Sequence, residues 1–183
     1  MSLPREYVVL LDDDNQPIGQ EDKAVVHHQQ TPRHLAFSCY ITNQDGLLLV
    51  TRRALSKVAW PGIWTNSVCG HPGPNESFEQ AILRRAEQEL GTKVARVECM
   101  LPDFHYRAVD DSGIVENEFC PVHQAVISAP LVLNPDEVMQ YQWVEPKSLL
   151  LAIQATPWAF SPWMVEQVRQ LAQVPGSVFH CSA

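Results

Sequence analysis

The chain has no apolar run approaching the roughly 20 residues that a membrane helix needs. Its first stretch, MSLPREYVVLLDDDNQ, carries only a short apolar segment before three aspartates, so a soluble cytoplasmic protein is expected. Basic charge is scarce: 13 Lys and Arg stand against 21 Asp and Glu, a formal net charge of −8. Such a field repels phosphate polymers, which argues against nucleic acid and anionic membrane as partners and leaves any phosphate-bearing ligand to a local basic cluster. The five cysteines (Cys39, Cys69, Cys99, Cys120, Cys181) include no CxxC pair, which excludes a disulfide framework and a cysteine zinc site and leaves most of them as small buried hydrophobes. Repeats, low-complexity segments and Gly/Ser/Pro-rich linkers are also missing, so residues 1–183 read as one domain. With 45% hydrophobic residues, 183 residues suffice for a sizeable core.

Apolar, β-rich runs fall at Glu6–Leu11, His34–Thr42, Leu47–Thr51, Val94–Tyr106, Ile114–Val126 and Gln140–Val144, with hairpin signals at Asn43–Gly46 and Asp110–Gly113. A helix is predicted from about Ser77 to Leu90, with Phe78, Ile82, Ala86 and Leu90 on one face and Gly91 closing it. Further helices are predicted over Pro146–Ile153 and Pro162–Gln173. Hairpins mixed with a few helices indicate an α/β or α+β sheet sandwiched by helices.

Several clusters carry chemistry. Glu116 and Glu118 stand two apart in a predicted strand, so both carboxylates share a face. An exposed polar edge is the plain alternative; in a half-buried strand, adjacent like charges call for a cation. His27, His34 and His71 lie beside turn or strand-end signals from which they can converge, although each alone reads equally well as a surface or core histidine. Three nitrogens and two carboxylates together suit octahedral Mn²⁺, Mg²⁺ or Zn²⁺. In Trp64-Thr-Asn-Ser-Val-Cys-Gly-His71, extended backbone sends Cys69 and His71 to one side, making Cys69 either a reactive thiol beside a metal or an inert packed one.

Lys23, Arg52, Arg53, Lys57, Arg84 and Arg85 are basic residues that can hold a diphosphate through charge-assisted hydrogen bonds, or are ordinary surface cations. Glu89 lies near the apolar face of the predicted helix and needs a partner, either Arg85 one turn earlier or a metal beside a diphosphate. Two prolines and three aromatic residues mark Thr156–Trp163, where core packing competes with a role for Trp158 or Trp163 in facing a cation across a dry pocket.

The spacing Gly70-x5-Glu76-x7-Arg84-Arg85-Ala86-x-Gln88-Glu89-x-Gly91-Thr92 resembles the Nudix box, G-x5-E-x7-R-E-U-x-E-E-x-G-U with U bulky and aliphatic. Arg85 and Gln88 replace two of its metal-binding glutamates, and Thr92 departs from the last aliphatic position. Together with Thr65-Asn-Ser-Val-Cys-Gly-His71, Glu116-Asn-Glu118 and Thr156–Trp163, the box resembles the type 1 isopentenyl-diphosphate Δ-isomerase family over residues 7–172. The resemblance implies a Nudix-type α/β/α sandwich with a mixed β-sheet and interconversion of isopentenyl and dimethylallyl diphosphate.

It also implies that His27, His34, His71, Glu116 and Glu118 hold a divalent metal. The family's spacing of seven between its first two ligands selects His27 over His28. Cys69 and Glu118 become the catalytic pair, with Tyr106 as hydrogen-bonding relay to Glu118 and Trp163 facing the cation. Glu89 and the Cys69 carbonyl hold Mg²⁺ on the substrate diphosphate, whose oxygens meet Lys23, Arg53, Lys57 and Arg85. A Nudix pyrophosphohydrolase, opposed by Arg85 and Gln88, and a non-catalytic diphosphate-binding module are the alternative functions.

Overall fold

A computed structural model describes residues 5–180. The chain begins with β1 (Tyr7–Leu11), β2 (Pro17–Asp22), the single turn α1 (Lys23–Val26), β3 (His34–Leu35), β4 (Phe37–Thr42) and β5 (Leu48–Arg53). After β6 (Trp64–Thr65) and β7 (Val68–Gly70) come α2 (Phe78–Leu90), β8 (Val94–Leu101), β9 (His105–Val109), β10 (Val115–Phe119) and β11 (Val122–Ile127). The remaining elements are β12 (Val138–Val144), α3 (Pro146–Ala155), a 3-10 turn over Pro157–Ala159, and α4 (Pro162–Leu171).

Two mixed sheets result. One runs β2-β1-β3-β10-β9; the other runs β12-β5-β4-β11-β8, with β6 added to β5 and β7 to β4. Each contains a parallel pairing, β3 with β10 and β4 with β11. The runs predicted over 34–42 and 114–126 are thus each divided, passing side by side from one sheet into the other. Pro121 marks the second division, and Ala36 N–H to Phe119 O (2.9 Å) and Ser38 N–H to Pro121 O (3.2 Å) keep the two chains paired across it. The run over 94–106 is likewise two strands, interrupted at Pro102-Asp103, where proline has no N–H for the ladder.

β4 is buried at every position because both of its faces are covered. Phe37, Cys39 and Ile41 join Ile82, Ala86 and Leu90 of α2 in one core. Tyr40 turns the other way, into a core with Leu48, Val50, Leu149 and Ile153 of α3, and Met164, Val168 and Leu171 of α4. This alternation produces the helix–sheet–helix layering. Helix α2 starts at a capping box, Ser77 Oγ accepting from Gln80 N–H (3.2 Å) and Gln80 Oε1 from Ser77 N–H (2.9 Å). It ends at Gly91 with φ +56°, where a Cβ would sit 2.2 Å from Val132 O.

β2 and α1 carry no apolar period and escape the sequence reading; Asp22 caps α1 by accepting from Ala24 N–H (2.9 Å). Residues 173–180, unassigned from sequence, bring Phe179 into the core edge-on to Tyr40, centroids 5.5 Å apart. Of the cysteines, Cys39 and Cys120 are buried and Cys69 half-buried, whereas Cys99 is exposed on β8, an edge strand. Cys181 lies outside the described residues. Among the described residues no helix is long and apolar enough to cross a membrane.

Candidate active site

Three histidines from separate elements converge. His27 terminates α1, His34 opens β3, and His71 follows β7; their ring centroids are 5.0–5.4 Å apart. Glu116 and Glu118 face them from β10, both buried. Glu118 Oε1 lies 3.0 Å from His71 Nε2 and 3.4 Å from His34 Nε2, and Glu116 Oε2 lies 3.3 Å from His27 Nε2. One ligand atom from each of His27, His34, His71 and Glu118 falls within 4.8 Å of the others. His34 Nδ1 is held by Pro32 O (2.9 Å), which turns Nε2 inward. His28, by contrast, is exposed and its Nδ1 accepts from Gln30 N–H (3.0 Å).

His27 Nε2, His34 Nε2 and Glu116 Oε2 are buried without a hydrogen-bond partner. Such atoms are costly singly, and several aimed at one point fit a divalent cation, for which imidazole and carboxylate are the matching donors. The electrostatics agree with a site made for added positive charge. Burial pulls His71 well below the ordinary histidine value, and neighbouring His34 and His27 pull it further. Burial acts on His34 too, but the Glu118 carboxylate beside it outweighs burial and raises it. Burial would raise Glu118, and His34 holds it below the carboxylate range instead.

The same cleft is lined by Cys69, Tyr106 and Trp163. Tyr106 OH donates to Glu118 Oε2 (2.8 Å), and burial followed by the Glu118 charge keeps the phenol protonated, far above its ordinary value. Burial pushes the Cys69 thiol up to about 11, opposed by hydrogen bonds with Ser38 and Asn66. Trp163, 2% exposed, stands edge-on to Trp60 (5.5 Å) and tilted against Tyr106 (5.7 Å). The other candidate, Trp158, is 79% exposed in the 3-10 turn and does not line this cleft, which excludes it from a dry pocket.

Lys23, Arg53, Lys57 and Arg85 also line the cleft, each already engaged. Lys23 Nζ meets Glu6 Oε2 (2.5 Å), and Lys57 pairs with Glu137. Arg85, 4% exposed, donates to Glu89 Oε1 through Nε (3.0 Å) and lies 3.3 Å from Glu137 Oε1. Glu89 therefore has Arg85 as its partner here, while still lining the cleft. The Arg53 guanidinium donates to Ala59 O (2.8 Å) and Trp60 O (3.2 Å) and lies 5.5 Å from the Trp163 ring centre, so it holds the wall as well as facing the cleft. Arg84 turns away, forming two bonds to Glu76 (2.7 and 2.8 Å) and one to His71 O (3.2 Å), and so clasps the loop before α2 to the helix. Arg52, spent on Gly62 O (2.8 Å) and Gln140, does not line the cleft.

Sequence reading missed Glu6, Glu137, Ser38 and Asn66. The first two are acids outside any motif whose cationic partners are distant in sequence. Asn66 lay inside a quoted motif, but its contacts to Trp163 span 97 residues.

The NUDIX domain matches residues 32–164, so the chain belongs to the Nudix family. A crystal structure of DR0079 from Deinococcus radiodurans shares the fold, with TM-score 0.69 at 22% identity over 90% of this chain and 98% of that one. A protein of Clavibacter michiganensis subsp. michiganensis named isopentenyl-diphosphate Delta-isomerase is 56% identical over 163 residues, covering 89% of this chain and 84% of its own length. One of the same name from Leifsonia xyli subsp. xyli is 54% identical over 178 residues, 96% of each. Within the Nudix fold, the chain is a member of the isopentenyl-diphosphate Delta-isomerase family.

Proposed function

We infer that the chain interconverts isopentenyl and dimethylallyl diphosphate by moving a proton on and off carbon. The observation that carries this reading is the joining, in one cleft, of the half-buried Cys69 thiol, a Tyr106–Glu118 hydrogen bond and the Trp163 ring with a cluster of cations. Lys23, Arg53, Lys57 and Arg85 bind the diphosphate oxygens, Lys23, Lys57 and Arg85 exchanging their carboxylate partners for phosphate. This places the alkene between Cys69 and Glu118. One delivers a proton to the terminal alkene carbon, the electron pair of the double bond forms the new C–H bond, and the other alkene carbon is left as a tertiary cation. The other takes a proton from the neighbouring carbon and restores the double bond in its new place; the two exchange roles with direction. Tyr106 passes hydrogen bonding to Glu118, and the Trp163 face stabilises positive charge without capturing it, as a carboxylate would. The buried walls exclude water, which would trap the cation as an alcohol.

His27, His34, His71, Glu116 and Glu118 would hold Mn²⁺, Zn²⁺ or Mg²⁺, which when bound supplies a fixed positive charge that orients Glu118. Glu89 and the Cys69 carbonyl would hold Mg²⁺ arriving with the diphosphate. Gln88 and Arg85 speak against water activation of the pyrophosphohydrolase kind: Arg85 Nη1 donates to Gln88 Oε1 (3.1 Å), making a clasp where that chemistry uses carboxylates. The unpaired thiols Cys39, Cys69, Cys99 and Cys120 suit the reducing cytoplasm.

The test incubates the protein with isopentenyl diphosphate and Mg²⁺ in D₂O, followed by proton and phosphorus NMR. Deuterated dimethylallyl diphosphate without phosphate release is expected. Release of phosphate or a monophosphate product would replace the reading with hydrolysis, and unchanged substrate in metal-replete protein would replace it with binding alone.

A further inference from the structure

Asn66 stands between β6 and β7, fully buried, and its amide is saturated on both sides. Nδ2 donates to Val68 O (2.9 Å) and Cys39 O (3.2 Å). Oδ1 accepts from Trp163 Nε1 (3.1 Å), from Cys69 Sγ (3.1 Å) and from Thr65 Oγ1 (3.0 Å). Two carbonyls on one side and three donors on the other leave a single orientation for the amide. The indole N–H is the one polar group of Trp163, so its bond to Asn66 sets how the ring is turned within its aromatic box. The connection extends to the start of α4, where Ser161 Oγ lies 2.8 Å from Thr65 Oγ1 and Ser161 N–H donates to Trp64 O (2.8 Å).

We propose that Asn66 is a positioning residue that ties the Cys69 thiol on β7 and the Trp163 indole on α4 to one amide oxygen, holding proton-transfer group and cation-facing ring in a common frame. The proposal rests on the isomerase reading above and adds to it a residue that lines the same cleft and acts through Cys69 and Trp163. The need for such a tie is physical. The thiol and the ring belong to elements about 95 residues apart in sequence, and each must stay aligned with the same short carbon segment, where misplacement by an ångström costs about hundredfold in rate. The oxygen offers two lone pairs to three donors, and the N–H and O–H bonds are the stronger, so the thiol contact is the one free to loosen during proton transfer.

The experiment compares wild type, Asn66→Ala and Asn66→Asp. It measures kcat and KM for isopentenyl diphosphate and the indole N–H signals of ¹⁵N-labelled protein, the Trp163 signal being assigned by its loss in Trp163→Phe. Asn66→Ala is expected to lower kcat about hundredfold, to leave KM within about threefold, and to move the Trp163 signal among the five indoles. Asn66→Asp keeps an oxygen in the acceptor position and, with its second oxygen protonated by burial, donates to one of the two carbonyls, so it should recover at least about tenfold of that loss. A folded Asn66→Ala with kcat within about threefold of wild type, or equal slowing by Ala and Asp, overturns the proposal. Should Asn66→Ala not fold, Asn66→Asp decides. Signal and kcat both retained support the tie; loss of either overturns it. A wild-type protein that converts no substrate would sink the isomerase reading and this proposal together, whereas wild-type conversion with an indifferent Asn66 sinks only the proposal.

Discussion

Glu118 and His34 are register partners across the parallel pairing of β10 with β3, and the pairing brings Glu118 Oε1 to 3.4 Å from His34 Nε2. The hydrogen-bond ladder of a sheet therefore sets the spacing of the metal-type cluster. His71 enters from the other sheet, where β7 pairs with β4. The site thus straddles the place where residues 34–42 and 115–127 cross from sheet to sheet, and small displacements of either sheet alter its geometry.

Cys69→Ala and Glu118→Gln each remove one proposed proton-transfer group while leaving the cations of the cleft intact. Turnover is expected to fall at least about 10³-fold, with diphosphate affinity changed less than about fivefold. Rapid kinetics and calorimetric titration with a diphosphate check the split. Near-normal turnover in either variant would show that the acid and base lie elsewhere.

Chelation should abolish turnover and lower the melting temperature, because a cation bound by the folded chain adds stability by mass action. His34→Ala should lose bound divalent metal, measured by elemental analysis of the purified protein, and should respond to added Mn²⁺ or Zn²⁺ less than wild type does. Equal metal content in His34→Ala and wild type would remove His34 from the ligand set.

Glu76 titrates below the ordinary carboxylate value of about 4.3, chiefly through its hydrogen bonds from Arg84. Its folded-state value lies below its unfolded one, so its stabilisation is complete above the unfolded value and vanishes as pH falls through the folded one. Urea unfolding of wild type and Glu76→Gln should accordingly differ most near neutral pH and converge as pH falls through the folded-state value of Glu76. A gap that persists at low pH would assign the effect to something other than this ion pair.

Gly70 closes β7 with no room for a side chain. A Cβ there would lie 2.8 Å from Arg85 Cγ and 3.0 Å from the Phe37 ring. Gly70→Ala is expected to displace Arg85, raising KM for the diphosphate substrate several-fold, and to destabilise the fold by about 1–3 kcal/mol through overpacking against the core. Chemical denaturation and steady-state kinetics measure the two effects separately.

The two tryptophans at the ends of the segment Trp158–Trp163 should behave oppositely. Trp158→Ala is expected to leave turnover within about twofold, since an exposed ring in this turn stabilises nothing in the cleft. Trp163→Leu keeps apolar bulk but loses the π face, and a desolvated cation–π contact of about 2 kcal/mol corresponds to about thirtyfold in kcat.

Much of the fold was legible in local pattern. The 3.6-residue period and flanking Ser77 and Gly91 located α2, because helix ends announce themselves through the few side chains able to satisfy free N–H groups or adopt positive φ. The Glu-x-Glu spacing placed two carboxylates on one face for an equally local reason. The strand breaks at Ala36 and Cys120–Pro121 were not legible, since a strand that changes sheets keeps its apolar character on both sides of the change.

Local motifs, read together with the family resemblance, were enough to nominate histidines, glutamates, thiol and cations. Which of them share a cleft, that Trp163 rather than Trp158 faces it, that Glu6 and Glu137 neutralise its cations, and that Asn66 joins Cys69 to Trp163 were set by strand pairing and by the packing of α4 on the sheet. Those contacts link residues tens of positions apart. Their energy depends on burial and hydrogen-bond geometry, which exist only once the chain has closed on itself.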